Sequence, residues 1–230
     1  LNSEPPNSAR ALPAQSPDDI GMIGFSSGTT GVPKVMQASY GIHLTGVRLI
    51  LRHVLPAQRR STQLVMLVCI PVFGAGSGVL LPTWFSGGTL VIPPRYAADD
   101  ILRLIPLHKA THIFITPSLL IDLLDYPQLG QTDLSSLCNI TYGTELMPAA
   151  KLEEAIRRFG PILQQGYGSA EVLPPVTLLQ PEEHLRDGQI APRSVLNSVG
   201  KPVPEVQVII ANDEDEALPV NAIGHVLIKS

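Results

Sequence analysis

The sequence predicts an α/β fold of parallel βαβ layers, followed by a partial antiparallel β-subdomain. Three observations carry this expectation. Between residues 64 and 165, short apolar or β-branched runs alternate with stretches of helical period. Proline, glycine or a helix-capping residue punctuates the segments. After Gly168 the texture changes to short strand-like runs parted by an acidic turn. In sheets built from βαβ units, ligands bind beyond the carboxyl ends of the strands, so functional residues are expected there.

Residues 1–17 contain Pro5, Pro6, Pro13 and Pro17 and few apolar groups, and are expected to form a linker or extended arm. The α/β core is expected over 18–180 and the start of a β-rich subdomain over 181–230. Met22, Ile23 and Phe25 mark a first strand, and 43–55 a helix carrying Arg48 and Arg52, with Arg59 and Arg60 after it. These arginines are expected on a solvated face. From Ser61 to Pro94 there is no Asp, Glu, Lys or Arg. A membrane span needs about 20 unbroken apolar residues. Here Pro71, Pro82 and five glycines interrupt the run. A buried strand at 64–70, a glycine-rich turn, a short helix near 77–85 and a strand at 89–92 account for it better. A helix over 99–108 follows, capped by Asp99 or Asp100. Then comes a β-branched strand at 111–116, and Thr116-Pro117 opens a further helix. Strands at 139–142 and 162–165 flank an amphipathic helix at 148–159, with Leu152, Ala155, Ile156 and Phe159 on one face. Strands at 206–210 and 224–228 close the chain, and 213–216 is expected to be a solvated hairpin tip.

The 230 residues are 44% hydrophobic and 16% charged, which excludes a disordered chain. Lys and Arg total 16 against 20 Asp and Glu, a balance that argues against a dedicated nucleic-acid binder. Cys69 and Cys138 are the only cysteines, which excludes a disulfide-stapled scaffold and fits a reducing cytoplasm.

The most informative segment is Phe25-Ser26-Ser27-Gly28-Thr29-Thr30-Gly31-Val32-Pro33-Lys34. Glycines let backbone N–H groups turn toward an anion, hydroxyls donate further hydrogen bonds, and lysine supplies positive charge. That is phosphate chemistry, although the order differs from the usual P-loop. The segment resembles the signature loop of the adenylate-forming superfamily, which includes acyl-CoA synthetases, luciferases and the adenylation domains of peptide synthetases. Two further segments agree in order. Gly166-Tyr167-Gly168-Ser169-Ala170-Glu171 resembles the Gly-Tyr-Gly-x-Thr-Glu motif, with Ala170 where threonine is usual. Tyr142-Gly143-Thr144-Glu145-Leu146 resembles the segment lining the adenine and acyl sites. Glu145 there is either a solvent-facing turn residue or a functional one. A turn at Ser198-Val199-Gly200-Lys201-Pro202 fits the same family.

The resemblance implies ATP- and Mg²⁺-dependent activation of a carboxylic acid, with coenzyme A as the second substrate. It implies that Ser26, Ser27, Gly28, Thr29, Thr30, Gly31 and Lys34 bind the phosphates. Gly143, Thr144, Tyr167, Gly168 and Ser169 would bind the rest of the nucleotide, with Tyr167 stacked on adenine. Glu171 would ligate Mg²⁺, and Thr29, Lys34 and Glu171 form the catalytic group. Phe73, Gly74, Gly76, Tyr142 and Gly143 would line the acid pocket. Amino-acid-activating relatives place an aspartate where Gly74 stands, and a buried ammonium without a counter-charge is costly, so an acyl chain is favoured over an amino acid. The glycines around Gly74 either leave volume for the acid or simply make a tight turn. None of the six histidines falls in a recognisable triad, and each is expected to be structural or exposed. The chain begins with Leu1, and members of this family are about twice as long. A fragment is therefore expected, without the family's first segment or its mobile C-terminal domain. A nucleotide- or acyl-binding module without turnover is the alternative. Core surface exposed by truncation would favour a non-native dimer.

Overall fold

The computed structural model describes residues 14–26, 34–55, 63–169, 172 and 175–229. The chain divides into two compact units, residues 1–44 and 45–230.

In the first unit, β1 (Ile20–Ser26) pairs antiparallel with β2 (Lys34–Ser39). Their register makes Ser26 and Lys34 partners, so the segment 27–33 joins the two ends of one hairpin. The strand feeding this loop is the one Met22, Ile23 and Phe25 predict. The strand leaving it, β2, has no counterpart in the sequence expectation. Its Gln37 and Ala38 are poor β-formers, and cross-strand pairing decides its state rather than propensity. Helix α1 (Tyr40–Leu49) follows and continues as a π-helical turn, Ile50–Val54.

The second unit is built on β3 (Val65–Cys69), a 3₁₀ turn (Ala75–Val79), α2 (Leu80–Phe85) and β4 (Thr89–Val91). Next come α3 (Ala98–His108), β5 (His112–Ile115), α4 (Pro117–Leu124) and β6 (Asn139–Gly143). Helix α5 (Ala149–Phe159), β7 (Leu163–Tyr167) and β8 (Thr177–Leu179) complete the layered part. Short elements follow: β9 (Leu185–Arg186), β10 (Gln189–Ile190), α6 (Arg193–Leu196) and β11 (Lys201–Pro202). Finally β12 (Gln207–Ala211) and β13 (His225–Lys229) form an antiparallel ribbon.

The main sheet has seven strands in the order β11-β8-β7-β6-β5-β3-β4. The five from β4 to β7 are parallel, and antiparallel pairing begins at β8. Both faces are covered, as a parallel sheet requires. Strand β3 shows this with period 2. Leu67 and Cys69 enter one core with Ile101, Leu120 and Leu152 from α3, α4 and α5. Met66 and Val68 enter the other with Leu49 and Val54. Burial raises the Cys69 thiol well above its ordinary pKa, so it behaves as a small core hydrophobe.

Helix starts follow their local chemistry. Thr116 caps α4 through its hydroxyl, which accepts from Leu119 N at 3.2 Å, with Pro117 in the first turn. The expected aspartate cap of α3 is not formed. The helix starts one residue earlier, after Ala97, which makes no side-chain cap. Asp99 and Asp100 lie in its first turn, where carboxylates suit the helix dipole, and both bind Arg95, at 2.7 and 2.8 Å. Among the described residues no helix is long and apolar enough to cross a membrane.

Candidate functional site

In a parallel sheet the strand ends align, and register fixes what lies beside what. Cys69 pairs with Ile115, Ile115 with Tyr142, and Gly143 with Gly166. The segments that leave these ends therefore share the carboxyl edge. They are 71–78 after β3, Thr116–Ser118 after β5, Thr144–Glu145 after β6 and Gly168–Ser169 after β7. The chain runs from β3 outward to β4, then crosses back over β3 to reach β5. The strand order reverses there, the place at which ligands of open α/β sheets bind.

Each segment has a local reason for its shape. A Cβ on Gly143 would lie 2.3 Å from the Gly166 carbonyl oxygen, so β6 and β7 approach here as only glycine permits. Thr144 then turns with φ 71°, a left-handed conformation costly for a β-branched residue. Glu145 anchors the turn: its Oε2 accepts from Ser118 N, at 3.2 Å, and from the Ser118 hydroxyl. A carboxylate so placed meets the positive end of α4. Glu145 is thus an exposed turn residue whose carboxylate is committed to α4. Beyond β3, Phe73 is 98% exposed and Gly74 has φ 150°. Glycine at 74 is required by its backbone, the tight-turn half of the alternative stated above.

Tyr142 is fully buried, and its hydroxyl lies 3.0 Å from His184 Nε2. Any contact Tyr142 makes with an acid is therefore a backbone contact. His184 Nδ1 lies 2.9 Å from the Gln180 carbonyl oxygen. On the other face of the sheet, Gln164 Nε2 donates to Gln180 Oε1 at 2.8 Å and to the His53 carbonyl at 3.2 Å. Burial holds the His184 imidazole below its ordinary pKa and raises the Tyr142 phenol. Burial also opposes the charge of Glu183, but its ion pair with Lys201, at 2.6 Å, and the Gln180 N–H hold its carboxyl below the usual range.

Comparison with known proteins settles the family. The profile described as "AMP-binding enzyme" matches residues 2–230. The chain belongs to this family. It is 30% identical over 214 residues to Medium/long-chain-fatty-acid–CoA ligase FadD8 of Mycobacterium tuberculosis, covering 92% of this chain and 35% of that protein. It is 29% identical to Indoleacetate–CoA ligase of Aromatoleum aromaticum, covering 94% of this chain and 40% of that one. Among solved structures, the amide bond synthetase McbA of Marinactinospora thermotolerans superposes with a TM-score of 0.83 at 30% identity, over 100% of this chain and 46% of that one. The AMP-binding chain thus spans less than half the length of these relatives.

Within this AMP-binding chain, the structure brings Phe73, Gly74, Gly76, Gly143, Thr144, Gly168 and Ser169 to one sheet edge. Tyr167, at the end of β7, is half-buried against the second core. Ser27, Gly28, Thr29, Thr30 and Gly31 lie outside the described residues, as do Ala170 and Glu171. Ser26 and Lys34 are placed by their backbones alone, as the partners that close the hairpin. Sequence reasoning missed the Glu145–Ser118 contact and the Tyr142–His184 pair. Only the first leaves a trace: a glutamate in a turn whose neighbouring helix opens with Thr-Pro-Ser. Glu145→Ala is expected to lower the unfolding free energy by roughly 0.5–1 kcal/mol, read from urea denaturation, with Glu145→Gln losing less because it keeps an acceptor.

Proposed function

We propose that this chain carries the nucleotide- and acyl-binding centre of an enzyme that activates a carboxylic acid with ATP and passes the acyl group to coenzyme A. The observation that carries this reading is the meeting of the Gly143–Thr144 turn, the Gly168–Ser169 turn and the glycine-rich 71–78 segment at one carboxyl edge, in a chain of the AMP-binding family. The carboxylate oxygen of the acid attacks the α-phosphorus of ATP, and the bond to pyrophosphate breaks. The thiol sulfur then attacks the acyl carbon, and AMP leaves. Positioning and charge stabilisation are what a protein contributes to such transfers.

The residues divide this work by their chemistry. Backbone N–H groups of Gly28 and Gly31, the hydroxyls of Ser26, Ser27, Thr29 and Thr30, and Lys34 hold the β- and γ-phosphates. Gly143 and Thr144 offer bare backbone to the adenine and acyl groups, and Tyr167 gives a flat apolar face. Gly168 and Ser169 face the α-phosphate, where Ala170 supplies no hydroxyl. Glu171 is a hard carboxylate ligand two residues beyond Ser169, the kind of single protein ligand that Mg²⁺ takes beside nucleotide phosphates. The metal supplies charge neutralisation for the phosphates when bound. Among the described residues no group of three or more His, Cys, Asp or Glu could form a separate metal cage. The acid is an alkyl or aryl carboxylic acid rather than an amino acid, because Gly74 gives no counter-charge to an ammonium.

The test is a thermal-shift titration of the chain with alkyl, aryl and aminoacyl sulfamoyl-adenosines. A ligand that binds only the folded state raises its stability by RT ln(1 + [L]/Kd). Alkyl or aryl analogues are expected to stabilise the chain, by about 2.7 kcal/mol at a hundredfold excess over Kd. Silence across the whole panel counts against the assignment. Stabilisation without exchange of pyrophosphate into ATP identifies instead a binding module without turnover, the reading that Ala170 favours.

A further inference from the structure

The Tyr142–His184 pair is a buried titratable couple that the proposed chemistry does not use, and it lies one residue from the Gly143–Thr144 turn. Because a carbonyl only accepts, the contact with Gln180 puts the imidazole proton on Nδ1. Nε2 is then the acceptor for the Tyr142 O–H, at 3.0 Å. The two rings meet edge-on, with centroids 6.0 Å apart. Both side chains are buried, at 0% and 1% exposure, so no solvent replaces either bond.

We infer that His184 is a positioning residue of the proposed adenylate site, fixing the tip of β6 through Tyr142 only while its imidazole is neutral; the inference rests on the proposed function. A second proton on Nε2 would meet the Tyr142 hydroxyl as donor against donor. The phenol would have to reverse, and its own proton would lose its acceptor in a closed core. Tyr142 cannot shift without moving Gly143, and Gly143 has no slack, because it lies backbone to backbone against Gly166. A close-packed core transmits such a shift to the Gly143–Thr144 and Gly168–Ser169 turns.

Other charged and titratable groups face His184 from the elements around it. Its own turn carries Glu182 and Glu183, and Glu183 is engaged by Lys201 at 2.6 Å. The elements packed against it bring Tyr167 on β7, Arg186 on β9 and Arg193 on α6. Arg193 is engaged by Glu153 at 2.9 Å.

The experiment is an NMR titration of the ¹³C-labelled imidazoles of the whole chain, with and without the sulfamoyl-adenosine that binds best. By linkage, a ligand that needs neutral His184 must lower the pKa of that imidazole. The expected result is a lowered His184 pKa on binding and an analogue affinity that weakens, by about fivefold in the limit, as the pH falls through the His184 pKa measured in the free chain, a modest coupling on this scale. His184→Gln keeps an acceptor for Tyr142 and a donor for Gln180, so it should bind as wild type does at pH 7.5 and lose the pH dependence. An unchanged His184 pKa on binding, or the same pH dependence in His184→Gln, overturns the inference. If that variant does not fold, the wild-type titration decides alone. Failure of wild type to bind any analogue at any pH is the distinct result that overturns the proposed function, and this role with it.

Discussion

Gly143→Ala is expected to cost the chain about 3 kcal/mol or more, the range of severe overpacking against rigid structure. The new Cβ would lie 2.3 Å from the Gly166 carbonyl oxygen, whereas real Cβ contacts essentially never come under 3.0 Å. The neighbour is main chain, not the end of a flexible side chain. Relief therefore means parting β6 from β7 at the register pair Gly143–Gly166. That pair is central in the sheet, with two further strands beyond β7 on one side and three beyond β6 on the other. Gly130→Ala is the control. It adds the same methyl group at a position with nothing within 4 Å, and should move stability by no more than about 0.5 kcal/mol. Urea midpoints of the two variants, at equal m-values, give the comparison directly. If Gly143→Ala is as stable as Gly130→Ala, the close approach of β6 and β7 is not real.

The layered half of the fold was legible because its residues have one structural answer. A charge-free run broken by prolines and glycines fits buried strand, turn and helix better than a span. A Thr-Pro pair after a β-branched run can only open a helix. The antiparallel ribbon near the end was legible for the same reason, since alternating strands flanked an acidic tip. What escaped depends on contacts distant in sequence. Strand β2 exists because β1 pairs with it. The start of α3 is the local exception: Asp99 or Asp100 was expected as its cap, yet both lie in the first turn, and Arg95 and Arg103, five and three residues away, engage the Asp100 carboxylate at 2.8 and 3.2 Å.

The site shows the same division. Gly143 was read as functional from its motif and Gly74 as either acid volume or a tight turn, and the structure adds a backbone reason for each. Both reasons can hold at once, because a ligand that needs bare backbone and a chain that needs a tight approach ask for the same residue. His184 was read as structural because it lacks a triad partner in sequence. Its partner, Tyr142, stands 42 residues away and is reached only through the sheet. A polar pair of this kind carries no sequence signature, since any buried tyrosine must find some acceptor.

Lys34→Ala is expected to weaken binding of ATP and pyrophosphate by about ten- to a hundredfold, the worth of one charge-assisted hydrogen bond of roughly 1.5–3 kcal/mol. The hairpin register places the Lys34 backbone beside the segment 27–33. Ser26 and Lys34 are partners, so the lysine stands where the strands close on the segment 27–33. On the proposed function that segment binds the phosphates, and Lys34 is the cation that follows it in sequence. Ammonium and guanidinium differ in shape, so Lys34→Arg should restore the charge and only part of the affinity. The sulfamoyl-adenosines lack β- and γ-phosphates, so their affinity should be almost unchanged in Lys34→Ala. That contrast makes the result specific. A parallel loss of both ligands would mean a damaged fold, and an unchanged pyrophosphate affinity would place the β- and γ-phosphates away from this hairpin. Ionic strength supplies an independent check. If Lys34 neutralises phosphate charge, the wild type should lose pyrophosphate affinity with added salt more steeply than Lys34→Ala, because the screened interaction is the one the variant lacks.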